Sequence, residues 1–105
     1  MENQHRKIKG YRELSQEEID LMNRIKTKGS ELLLLQCELV EMLKKENSEK
    51  LAAAAGLNFA DNDATEELYR FQEAEPNKWA DIGRTDIQTG IMALVRAVAQ
   101  PSGGV

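Results

Sequence analysis

The tetrapeptide Ser15-Gln16-Glu17-Glu18 constrains this chain more than any other stretch, because it marks where a long helix has to begin. The Ser15 hydroxyl can accept a hydrogen bond from the Glu18 N–H, and the Glu18 carboxylate can accept one from the Ser15 N–H. Two donors that a helix start leaves orphaned are then satisfied reciprocally. Beyond this box Ile19, Met22, Ile25, Leu32, Leu35 or Leu39, and Leu43 recur at gaps mostly of three, four and seven, the period of one helix face. The spacing predicts a helix from Ser15 to about Asn47, a rod of roughly 45–50 Å at the usual rise per residue. Such a rod is longer than a chain of this size needs, and it leaves apolar surface for another chain to cover.

With 105 residues the chain has room for one domain. Short chains bury a smaller fraction of their surface, so the core is expected to be small and oligomerisation to make up the deficit. The formal net charge of −4 is unevenly spread. Residues 1–12 carry +3, from Arg6, Lys7, Lys9 and Arg12 against Glu2, whereas residues 61–75 carry −5. A mildly acidic chain with a local basic arm suits a small anionic ligand better than a long nucleic acid, which needs a broad basic face. The single cysteine, Cys37, excludes an internal disulfide. Its place in a helical run predicts a buried thiol, and the composition suits a reducing compartment. The charged N-terminal residues do not read as a signal peptide. The apolar run Leu32–Leu35 is far too short to span a bilayer, so no membrane association is expected.

In chain order, residues 1–14 read as a basic, extended arm, with Gly10 breaking helical continuity just before Tyr11. A single domain is expected over 15–100. Within it Gly29-Ser30 is a weak point of the long helix or a place where another backbone or a ligand comes close. Arg24 and Lys28 are four apart and share a face, whereas Lys26 and Lys28 are two apart and do not. Residues 48–76 read as a short helical insertion. It comprises an alanine-rich helix Leu51–Ala55 stopped by Gly56, a loop, and a helix from Ala64 to Ala74 that Pro76 ends. Asn77 caps a last helix from Lys78 to about Gln100 bearing Ile87, Ile91, Leu94, Val95 and Val98, and residues 101–105 form a tail. With no alternating pattern, the fold class is all-α: a long helical hairpin with a short helical insertion, assembling through helix packing into a homo-oligomer.

The residues offer no catalytic constellation, so an enzyme is not expected. His5 is the only histidine, Cys37 has no metal-ligand companions, and Gly-rich phosphate loops and nucleophile elbows are absent from the sequence. No cofactor or metal is expected. Binding chemistry is better represented. His5, Arg6, Lys7, Lys9 and Arg12 surround Tyr11, and cations suit phosphate while an aromatic face suits a base. The same arm also reads as a solvated terminus with Tyr11 packed on a helix. In Ile82-Gly83-Arg84-Thr85 a guanidinium and a hydroxyl stand beside a glycine and could hold a phosphate. Pairing of Arg84 with Asp81 or Asp86 on the surface is the plainer account.

The arm and first helix, from His5-Arg6-Lys7-Ile8-Lys9-Gly10-Tyr11-Arg12 on to Lys26, resemble a known family. So does the last helix, with Ile82-Gly83-Arg84-Thr85 and Met92-Ala93-Leu94-Val95-Arg96-Ala97-Val98. They resemble the small phage anti-CBASS proteins that sequester cyclic-oligonucleotide signals, and their Thoeris-antagonising relatives, which share a helical hairpin domain. The resemblance covers roughly residues 4–46 and 78–101, as read from the sequence. CBASS and Thoeris are bacterial defences in which an infection sensor makes a cyclic-nucleotide signal that switches on a killing effector. The resemblance implies a sponge that binds the signal without cleaving it, in the cytoplasm of the infected host. It implies a homo-oligomer, a hexamer, with pockets between chains. By the same resemblance Tyr11 stacks on a base and Lys26 contacts phosphate in a dinucleotide pocket, with Lys28 close by, while Arg84 and Thr85 match the motif of a separate trinucleotide pocket. Cyclic GMP–AMP, cyclic di-AMP, cyclic tri-adenylate and cyclic ADP-ribose isomers all present phosphates and purines, and the sequence does not rank them. The competing expectation is a helical oligomeric interaction protein with no nucleotide ligand, for which the basic arm is only a docking tail.

Overall fold

The computed structural model describes residues 12–56 and 62–101. They form three α-helices and no strand: α1 Gln16–Ala55, α2 Asn62–Ala74 and α3 Pro76–Ala99. The all-α expectation holds. The Tyr11 assignment and the other arm residues up to position 11 lie outside the described residues.

The helix starts and stops follow from local chemistry. Ser15 Oγ accepts from the Glu18 N–H at 3.1 Å, and Glu18 accepts from the Ser15 N–H at 2.8 Å, the reciprocal cap the sequence predicts. Helix α1 then runs past Asn47 without a break, so Leu51–Ala55 is its last stretch and not a separate helix. The polar run before Leu51 holds no apolar periodicity because one of its inward positions is Lys50, which is held by carboxylates. Pro76 opens α3 instead of merely ending α2. Proline suits the first helical position, where its missing N–H has no partner to lose. The joint is the single residue Glu75, at a left-handed φ of 49°. Its N–H donates to the Gln72 carbonyl at 3.1 Å and its carbonyl accepts from Trp79 at 3.2 Å, so one residue closes α2 and opens α3. Gln100, at φ 47°, closes α3 in the same left-handed way, ahead of Pro101.

The described chain divides into two compact units, one of residues 12–32 and 86–101 and one of residues 33–56 and 62–85. In the first unit the opening half of α1 runs antiparallel to the closing half of α3. Gly29 of α1 meets Ile91 of α3, and Met22, Ile25, Ile87, Val95 and Val98 are partly buried apolar positions on the two segments. Gly29 is buried, and a Cβ there would fall on Ile91 Cδ1 and only 2.6 Å from its Cγ1. Arg12 ties the ends together. Its guanidinium donates to the carbonyls of Ala99 (3.1 Å) and Val98 (2.8 Å) and pairs with Glu18 at 2.7 Å. A cation on the last carbonyls of a helix also complements its dipole. The Arg12 hydrogen bond, aided by the Ser15 N–H, holds the Glu18 carboxyl below its usual range.

In the second unit Leu33, Gln36, Val40 and Leu43 of α1 line the packed seam, with Phe71 of α2 and Ala80 of α3. Leu35 or Leu39 was expected on the inward face, and the two are 58% and 41% exposed. Gln36 stands at one position of this seam, as Gly29 does on the buried side of α1 in the first unit, so the apolar signal is interrupted and the leucine-rich stripe beside it reads as the stronger face. Helix α2 is held by charge as well as by Phe71. Lys50 lies between Glu46 (3.5 Å) and Glu67 (3.1 Å), and Arg70 grips Glu67 through two donors at 2.6 and 2.8 Å. Lys50 Nζ also stands 5.7 Å from the Phe71 ring centroid.

Two outcomes follow from this packing. Gly29→Ala should lower the unfolding free energy by about 1 kcal/mol or more, because overpacking outweighs the helix-propensity gain. Gly83→Ala, where a Cβ meets nothing within 4 Å, should instead stabilise by about 0.5–1 kcal/mol; thermal melts of the two variants read the opposite signs. Arg70, and after it Lys50, push the Glu67 pKa from its ordinary 4.5 down to about 2. A carboxyl depressed in the folded state contributes stability above its unfolded pKa and loses it as pH falls toward the folded one. The melting temperature should therefore drop between pH 4.5 and about 2, and Glu67→Gln should be less stable at neutral pH with a flatter acid profile.

A groove with a cationic rim

The first unit carries an open groove of about 620 Å³ between its α1 and α3 segments. Gly29 lets Ile91 approach closely enough to form the floor, and Ile25, Ile87 and Leu94 extend it. Gly90 of α3 also borders the groove, and its missing side chain leaves space there: a Cβ would meet nothing within 4 Å. Along the α1 rim stand Arg24 and Lys28, one helical turn apart, with Asn23 and Thr27 between and beside them. Both ionisable lining residues are cations, in a chain with 18 acidic and 14 basic residues. Lys28 reaches Glu31 at 3.5 Å, but the two side chains are 82% and 59% exposed, so the pair is weak. Arg24 has no hydrogen-bond or ion-pair partner among the described residues. Walls of this kind suit a ligand with a flat apolar body and an anionic group.

Lys26 is exposed on the same helix but does not line the groove. Two residues turn an α-helix by about 200°. The structure therefore separates Lys26 from Lys28 and groups Lys28 with Arg24, which was not singled out as a binding residue from sequence alone. The available signal was the four-residue spacing of Arg24 and Lys28.

Arg84 and Thr85 lie in the second unit. Thr85 is exposed. Arg84 is half-buried, and it pairs with neither Asp81 nor Asp86. Its Nη1 donates to Gln36 Oε1 at 3.2 Å and contacts Cys37 Sγ at 3.7 Å. Gln36, 9% exposed, in turn donates through Nε2 to the Ala80 carbonyl at 3.0 Å. One buried amide thus joins α1 to the backbone of α3 and to Arg84. Cys37 is exposed, contrary to the expectation of a buried thiol. It follows the inward-facing Gln36 by one residue and is rotated about 100° from it. Among the described residues no group of three or more His, Cys, Asp or Glu could hold a metal ion. No helix among them is long and apolar enough to cross a membrane.

No protein-family model matches the chain. Among curated proteins the chain is similar to Anti-CBASS protein 2 of Pseudomonas phage JBD67, with 55% identity over 107 aligned residues covering 98% of this chain and 99% of the relative. The match runs through residues 48–76 as well as through the regions that carry α1 and α3.

Removing the Gln36 amide takes from the Ala80 carbonyl the bond it accepts beyond its helical one, takes from Arg84 its oxygen acceptor, and empties a buried position. Gln36→Ala should cost about 1–3 kcal/mol, measured by denaturant unfolding, more than truncation at exposed Leu35.

Proposed function

The chain belongs to the anti-CBASS protein 2 family, and on that premise we propose that it is a phage-encoded sponge that binds cyclic oligonucleotide immune signals and withholds them from the CBASS effector. The full-length similarity to a protein named for opposing CBASS carries this reading. In it, the protein releases its ligand intact and is not an enzyme. It works in the cytoplasm of the infected bacterium as a homo-oligomer, a hexamer, with ligands held between copies. Thirteen large apolar side chains are more than a third exposed and only three apolar residues are buried among those described, which supports assembly. Tyr11 stacks on a base and Lys26 meets phosphate when a cyclic dinucleotide such as cyclic GMP–AMP or cyclic di-AMP is held, with Lys28, close by in sequence, on a different side of α1. Arg84 and Thr85 serve a separate site for a trinucleotide such as cyclic tri-adenylate. Cyclic ADP-ribose isomers belong to the same ligand chemistry. Long nucleic acid is not a ligand in this reading, in keeping with a net charge of −4.

Calorimetric titration with cyclic GMP–AMP and, separately, cyclic tri-adenylate tests the proposal. Both should bind, at different stoichiometries, and denaturation should return each ligand uncleaved. Linearised product would make the protein an enzyme. A flat response to these ligands and to cyclic ADP-ribose isomers would leave a helical interaction protein. Tyr11→Ala should weaken dinucleotide binding by about 1–3 kcal/mol, the worth of one stacked base, without dissolving the oligomer. Arg84→Ala should weaken trinucleotide binding selectively.

A further inference from the structure

We propose that the groove of the first unit receives a base and a phosphate of the cyclic nucleotide, with Arg24 as the residue that holds the phosphate. This rests on the sponge reading and adds to it a contact set on a different side of α1 from Lys26.

The groove's charge, floor, volume and rim lead here. The groove's ionisable lining residues are Arg24 and Lys28, both cationic, so its field favours an anion although the chain as a whole is acidic. The floor of Ile25, Ile87, Ile91 and Leu94 gives a flat ring an apolar bed, and Gly90 leaves the width for it. The volume of about 620 Å³ lies in the range of small-molecule sites. Arg24 has no partner among the described residues, and its planar fork of donors matches two phosphate oxygens at once. Lys28, one turn further along, adds a point charge, and Thr27 and Asn23 offer hydrogen-bonding groups at the rim. A second copy docked groove to groove would set Arg24 and Lys28 against their own counterparts. Like charges oppose that pairing, whereas an anion satisfies both.

The test is calorimetric titration of the unmodified protein, Arg24→Ala, Arg24→Lys and Gly90→Leu with cyclic GMP–AMP and cyclic tri-adenylate, with assembly mass from light scattering and thermal midpoints alongside. Gly90→Leu projects a side chain into the groove from a position where a Cβ has free space, and leucine is the better helix former. It should melt no lower than the unmodified protein yet bind at least one of the two ligands about tenfold more weakly or worse. Arg24→Ala should show a loss of similar size for the same ligand, about tenfold for one charge-assisted contact, and Arg24→Lys should recover part of it. Unchanged affinity in both Arg24→Ala and Gly90→Leu overturns the groove assignment and leaves the sponge reading standing. Lost affinity together with a smaller assembly mass overturns it as well, because the loss then follows from broken assembly and not from a missing ligand contact. Failure of the unmodified protein to bind either ligand removes the sponge reading and the inference with it.

Discussion

Much of the first unit depends on the absence of one methyl group. Gly29 sits where a Cβ would overlap Ile91, so the backbone of α1 and a branched side chain of α3 meet with nothing between them. Close packing of this sort tolerates little change in volume. It fixes the separation of the two segments, and that separation sets the groove floor. It also sets which residues stand on the rim: with Gly29 turned inward, Arg24 and Lys28 border the opening and Lys26 does not. The glycine therefore serves geometry at some cost to helix propensity, and the Ser15–Glu18 cap and Arg12 across the α3 carbonyls offset part of that cost.

The second unit is organised by polar contacts. Few apolar residues are buried in it, and the rest is supplied by the Gln36 amide and by the cluster of Lys50, Glu46, Glu67 and Arg70. Polar joints of this kind specify register more sharply than apolar ones, because a donor without its acceptor is costly whereas one leucine can replace another at modest cost. Gln36 has both ends of its amide engaged, and among the described residues no buried side-chain nitrogen or oxygen lacks a partner.

Much of the helical content was legible in the sequence because caps and turns act locally. The Ser15 box and the end of α3 before Pro101 follow from neighbours a few residues apart, whereas α2 begins at Asn62, two residues ahead of the Ala64 read from the sequence. What was hidden depends on contacts distant in the chain. The buried side of α1 carries Gly29 in the first unit and Gln36 in the second, residues that no apolar pattern marks, so Leu35 or Leu39 took their place in the reading. Lys50 lies partly inward because Glu67, seventeen residues on, receives it. Without that partner the stretch from Glu46 to Lys50 looks like a gap between two helices. Pro76 is both a stop and a start, and only the left-handed Glu75 before it shows which role prevails. In the candidate site, the four-residue spacing of Arg24 and Lys28 was readable. Their alignment along an apolar groove was not, because α3 supplies the other wall.

The contact between Arg84 and Gln36 bears on how an anion would be met there. A free arginine side chain samples many rotamers, and binding through it must first suppress them. Arg84 has Nη1 already directed at Gln36 Oε1, while Nη2 and Nε have no partner among the described residues. That bond removes part of its rotational freedom when the helices pack, before any ligand arrives, and it orients the edge formed by the two remaining donors. Residue 36, which such a ligand need not touch, consequently sets how well aimed that edge is.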